Sequence, residues 1–204
     1  MDRDASLDDL RRAVQECHAC ELFRDTTQAV FGEGPEDARM LVVGEQPGDV
    51  EDRRGHPFVG PSGKVLDRAF GAAGLDRDSI YLTNAVKHFK HRPAAPGKRR
   101  LHQTPDRTEI VACRPWLVAE LARIRPAKVV VLGATAAKAL LGPAFRVTRE
   151  RGKALPWPAS AEHPEDFEGD GVLVATIHPS AVLRADDREA AFAGLVEDLK
   201  AVRD

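Results

Sequence analysis

The sequence predicts an α/β fold, with a central four-stranded parallel sheet and helices on both faces. Three observations carry this. Four short β-type apolar runs are separated by helical patterns, and strand–helix alternation joins parallel strands through crossover helices. Three of the runs are nearly continuous in apolar residues rather than alternating, as strands covered on both faces are. A polar or glycine-rich segment follows every run, and in such folds sites lie beyond the carboxyl ends of the strands.

The elements follow in order. Residues 7–16 read as a short amphipathic helix with Leu7, Leu10 and Val14 on one side and Ser6 as its N-cap. The strands are 40–43, 80–83, 129–132 and 172–175. Helical patterns cover 63–73, 107–124 and 135–141, and another closes the chain over 191–202. Segment 92–104, rich in Pro, Gly and basic residues, reads as a loop; so does 156–171, Pro-rich and acidic, as a solvated excursion. There is no internal repeat, and 204 residues suit one domain spanning 1–204.

Composition narrows the function classes. No apolar run is long enough to span a bilayer, and Met1-Asp2-Arg3-Asp4 lacks signal-peptide character, so a soluble, cytoplasmic, monomeric protein is expected. The net charge of -2 is not that of a wholesale nucleic-acid binder. A local basic patch remains, in Lys87-His88-Phe89-Lys90-His91-Arg92 and Lys98-Arg99-Arg100-Leu101-His102, and local charge acts within a Debye length whatever the total. The three cysteines are odd in number, which argues against a disulfide framework. Cys17-x-x-Cys20 has ligand spacing, and Cys113 would be a third thiolate. Zinc with Cys₃His and an iron–sulfur cluster both fit, with His88, His91 or His102 as the fourth ligand; the alternative is a set of inert thiols.

Four segments after the strands can carry chemistry. Gly44-Glu45-Gln46-Pro47-Gly48-Asp49 permits a tight turn and close approach of a ligand, or is an ordinary strand-to-helix turn. It lacks the pattern of a phosphate loop. Phe58, between Pro57 and Pro61, either stacks on a planar ring or is core. Asn84 offers one acceptor and two donors, enough to read a pyrimidine edge, or caps a loop. His178, before Pro179 and Ser180, either donates to a developing oxyanion or is structural.

Taken together these segments resemble the family-4 branch of the uracil-DNA glycosylases. That family has a CxxC near its start, a Gly-Glu-x-Pro-Gly turn, a Pro-Phe-Val-Gly segment, a Thr-Asn after the second strand and a late His-Pro-Ser, all present here in order from Cys17 to Ser180. Within it the chain is similar to the UdgX type. Lys98-Arg99-Arg100-Leu101-His102 matches the Lys-Arg-Arg-Ile-His loop of that type with Leu for Ile, and Gln46 stands where ordinary members carry Ala. His88 stands where ordinary members carry Cys.

The resemblance implies a [4Fe–4S] cluster on Cys17, Cys20, His88 and Cys113, structural rather than redox-active. It implies uracil binding by Gly44, Gln46, Asp49, Phe58 and Asn84, with Phe58 stacked on the ring and Asn84 on its Watson–Crick edge. Lys98, Arg99, Arg100, Ser180 and Arg184 would contact DNA, single-stranded by preference, because a base in a duplex must be flipped out. His178 would stabilise charge on uracil O2. His102 would bond to the sugar C1′ and remain there, so that the enzyme turns over once; Glu45 would orient or deprotonate His102, or stabilise the cationic sugar. The rival readings are an ordinary turnover glycosylase and a non-enzymatic metal-containing nucleic-acid-binding module.

Overall fold

A computed structural model describes residues 5–92 and 100–203. Its helices are α1 (Leu7–Ala13), α2 (Asp49–Arg54), α3 (Pro61–Ala73), α4 (Arg107–Ile124), α5 (Gly133–Leu141), α6 (Val147–Glu150), α7 (Pro179–Arg184) and α8 (Arg188–Lys200). Its strands are β1 (Met40–Gly44), β2 (Ile80–Asn84), β3 (His91–Arg92), β4 (Leu101–His102), β5 (Lys128–Leu132), β6 (Ala154–Trp157) and β7 (Gly171–Thr176).

The main sheet has five strands, in the order β2-β1-β5-β7-β6. The four expected strands are all there and all parallel. The fifth, β6, pairs antiparallel with β7, which corrects the expected four-stranded sheet. Ala154-Leu155-Pro156-Trp157 hides its strand character behind a proline. Proline is tolerated there because β6 lies at the edge, where one side of the strand has no ladder to donate to. Loop 156–171 is therefore partly structured, with Trp157 and Phe167 buried and in ring contact at 4.7 Å between centroids.

Strand residues alternate between two cores. Leu41, Val43, Val129 and Val131 face α1, α4, α5 and α6. Met40, Val42, Val130, Leu132 and Val174 face α3, α7 and α8. Full burial on both faces explains the apolar runs. The first helix keeps its N-cap, Ser6 accepting from the Asp9 N–H, but tightens to a 3₁₀ turn over Val14–Glu16.

Segment 92–104 is not wholly a loop. His91 and Arg92 pair antiparallel with His102 and Leu101, forming a short hairpin. Lys98 and Arg99 lie outside the described residues.

Strand order reverses between β1 and β5, with β2 beyond one and β7 beyond the other. A crevice opens at such a switch point, beyond the carboxyl ends. It is there that the sequence places Gly44-Glu45-Gln46, Asn84, Gly133 and His178.

Candidate active site

A cavity of about 1210 Å³ occupies this crevice, lined among others by Glu45, Phe58, Asn84, His102 and His178. Residues separated by up to 133 positions in sequence thus meet: Glu45, Asn84 and His178 lie at the carboxyl ends of strands of one sheet, His102 on a hairpin arm, and Phe58 between α2 and α3.

The floor is set by Gly44. It pairs in register with Asn84, and a Cβ on it would lie 2.3 Å from Asn84 Oδ1 and 2.6 Å from Phe58 Cζ. Only glycine allows the amide and the ring to converge. Phe58 itself has φ +56°, a left-handed conformation unusual for a non-glycine residue. It is held there by Gly63, where a Cβ would collide with the Phe58 carbonyl, and by Glu51, which accepts from the Gly60 N–H at 2.8 Å. Phe58 belongs to the core on the α3 side of the sheet and also lines the cavity.

Asn84 is supported from below by a fully buried ion pair. Lys87 Nζ lies 2.5 Å from Glu120 Oε2, and also donates to Thr83 Oγ1 and to the Asn84 carbonyl. Glu120 Oε1 accepts from the Gly32 N–H, Tyr81 and Thr83. Glu120 was not singled out in the sequence. A glutamate in an amphipathic helix ordinarily faces solvent, and only the pairing partner on another element reveals this one.

At the other wall, His102 Nε2 lies 3.0 Å from Glu45 Oε1, while Thr135 donates to Oε2. Burial alone would push the Glu45 carboxyl up. Hydrogen bonds from His102 and Thr135, with the charge of His102 and His178, outweigh it and hold the carboxyl below the usual range. Glu45 is a carboxylate aimed at a half-exposed imidazole. Thr135 belongs to the Gly133-Ala134-Thr135 segment after the third expected strand, but a small polar residue early in a helix gives no signal of its target.

His178 Nδ1 accepts from the Ser180 N–H at 3.1 Å and sits 2.8 Å from Ser180 Oγ. Burial pushes its pKa down to about 4, against the pull of Glu45 and assisted by the charges of His102 and Arg184. A neutral ring that accepts at Nδ1 carries its proton on Nε2, and so presents one N–H donor. An unfolded histidine titrates near ~6.5. Between about 4 and that value the unfolded chain binds the extra proton, so the stability this residue leaves intact at pH 7 is lost as pH falls through that window. The gap corresponds to at most about 3 kcal/mol. Urea unfolding of wild type and His178→Gln at pH 7 and pH 4.5 should therefore show the stability difference moving toward the variant at low pH. An unchanged difference would contradict a buried neutral ring.

Four expected contacts are reassigned by the geometry. The Gln46 side chain is not free for a ligand: it accepts from the Lys90 N–H and donates to the carbonyls of Lys90 and Gln103, clamping the hairpin. Arg100 does not reach out to phosphate. It is mostly buried and pairs with Asp49 at 2.6 Å and Asp52 at 2.7 Å, stacked over Phe89. The Asp49 carboxylate is consequently occupied, although the residue lines the cavity. Ser180 hydrogen-bonds the His178 ring. In each case a long or flexible polar side chain had several partners in reach, and packing chose an internal one. Arg184 is exposed at the rim.

The three thiols lie close enough to influence one another. Cys17 and Cys20 both press on the Cys113 thiol electrostatically, and burial pushes that thiol up to about 12. The Lys87 N–H donates to Cys113 Sγ at 3.1 Å and Trp116 Nε1 to Cys17 Sγ at 3.2 Å. Burial lowers the pKa of His88, next to Lys87, and so favours the neutral imidazole that binds metals. Among the described residues no three His, Cys, Asp or Glu converge as ligands of a single ion do. Sulfur donors with N–H groups directed at them fit a multi-iron cluster, whose ligands attach to different metal atoms.

The sequence profile of the uracil DNA glycosylase superfamily matches residues 31–200. A type-4 uracil-DNA glycosylase of Thermotoga maritima is 35% identical over 188 residues, covering 92% of this chain and 88% of the relative. One from Archaeoglobus fulgidus is 35% identical over 182 residues, covering 87% and 83%. A type-5 uracil-DNA glycosylase of Pyrobaculum aerophilum is 33% identical over 163 residues, covering 72% and 63%.

Proposed function

As this chain belongs to the uracil-DNA glycosylase superfamily, we propose that it excises uracil from DNA and that His102 then bonds to the sugar left behind. The observation that carries the second step is the 3.0 Å pair between His102 and Glu45 at the cavity wall.

The residues divide the chemistry as follows. Phe58 packs on the face of the uracil ring and Asn84 reads its polar edge. Cytosine presents the opposite donor pattern, and a site built to satisfy one edge rejects the other strongly. As the N1–C1′ bond breaks, its electron pair moves to uracil, and the His178 Nε2–H stabilises the charge on O2. The sugar becomes oxocarbenium-like. A ring nitrogen of His102 donates its lone pair to C1′, and Glu45 takes the proton that the imidazole gives up, leaving a neutral alkylated ring. Gln46 and Arg100 hold the hairpin so that His102 stays at Glu45. Cys17, Cys20, Cys113 and His88 would hold a [4Fe–4S] cluster. Held by these residues, such a cluster would supply a structural tie between the N-terminal segment, α4 and the loop after β2.

The test is uracil-containing single-stranded DNA followed by denaturing electrophoresis. The expected result is free uracil and a heat-stable protein–DNA band of one protein per strand, with the band lost in His102→Ser. Free uracil with abasic DNA and no band would leave the glycosylase and remove the covalent step. No uracil with any substrate would favour the non-enzymatic module.

A further inference from the structure

The cavity is larger than one flipped nucleotide requires: small-molecule pockets fill about 300–1,000 Å³, and this one reaches 1210 Å³. Away from Glu45 and Asn84 it is lined by α4 and α5. Arg107, Ile110, Val111 and Arg114 line it from α4, at the i, i+3, i+4, i+7 spacing of one helix face. Lys138 lines it from α5. Val111 is 55% exposed, one of two large apolar side chains so exposed among the described residues.

Charge decides what this extension suits. Arg114 is neutralised by Asp166 at 2.6 Å. Arg107 and Lys138 are exposed and have no ion-pair partner among the described residues. Arg184 is likewise unpaired, but on α7, which packs on the other face of the sheet. The cavity therefore crosses the sheet edge from one free cation to two more, with the uracil site between. Glu162 also lines the extension and confines the cationic stretch to the part near Arg107 and Lys138.

We propose that the α4–α5 groove is a second DNA subsite, which takes the single strand flanking the uracil nucleotide on one side. Arg107 and Lys138 hold its phosphates, and Ile110 and Val111 meet the faces of unpaired bases. This rests on the glycosylase reading. A single strand is the occupant because a duplex keeps its base faces stacked and offers the apolar wall nothing, whereas unpaired bases bring both base faces and phosphates.

The test measures binding of oligonucleotides with the uracil near the 5′ end, near the 3′ end, or central, to His102→Ser protein with and without Arg107→Ala/Lys138→Ala. Extending one flank only should tighten binding to the protein with both cations. The double substitution should abolish that gain and lower the slope of log affinity against log salt by about 1–2. Arg107→Lys/Lys138→Arg should retain the gain, which separates lost charge from lost fold. Wild-type length dependence and salt slope in the alanine variant would overturn the groove while uracil release by the wild type kept the glycosylase reading. No uracil release by the wild type would remove both.

Discussion

Glu120→Ala is expected to destabilise the protein by about 3–5 kcal/mol, the range for stranding one partner of a buried ion pair. Lys87 and Glu120 are fully inaccessible to solvent. Removing the carboxylate leaves an ammonium among Thr83, the Asn84 carbonyl and the Phe31 ring, with no opposite charge. It also strips the acceptor from the Gly32 N–H and Tyr81. Domains of this kind have about 5–15 kcal/mol of total stability, so the variant should unfold at a far lower urea midpoint. Lys87→Met/Glu120→Leu removes both charges and should recover much of the loss. A single variant within about 1 kcal/mol of wild type would show that the pair is not the keystone beneath Asn84 that its geometry makes it.

His178→Leu should slow uracil excision at saturating substrate by about 10²–10³-fold, the usual loss for one oxyanion donor. The ring is neutral well below pH 7, and its Nδ1 is committed to Ser180, so Nε2 has one task. In the proposed mechanism the donor acts where charge develops, so the loss should fall on the single-turnover rate rather than on binding. The rate should also be insensitive to His178 titration between about pH 6 and 8, since the residue changes charge only near about 4. A loss under about threefold, or one confined to binding, would assign the oxyanion elsewhere.

The two substitutions probe parts of the site that the sequence revealed unequally. His178 was legible because it follows an apolar run and precedes Pro179-Ser180, a placement that puts it at the carboxyl edge of the sheet. Glu45, Asn84 and Gly44 were legible in the same way, Phe58 through the prolines on either side of it, and His102 through its motif. Glu120 was not. Nothing on α4 marks it as buried, and its partner Lys87 sits 33 residues away, just after β2.

The sequence by itself determined the parallel sheet, the order of its helices and the residues gathered at one edge, because burial on two faces writes itself as unbroken apolar runs and the chain must turn after each. Only the tertiary structure decided what the mobile polar side chains do. It turned Gln46 toward the hairpin, Arg100 toward Asp49 and Asp52, and Ser180 toward His178. It also added β6, whose proline is acceptable only at an edge. An apolar side chain has one destination, the core. A polar one bonds to whichever complementary group lies within about 3 Å, and that distance exists only once the chain has folded.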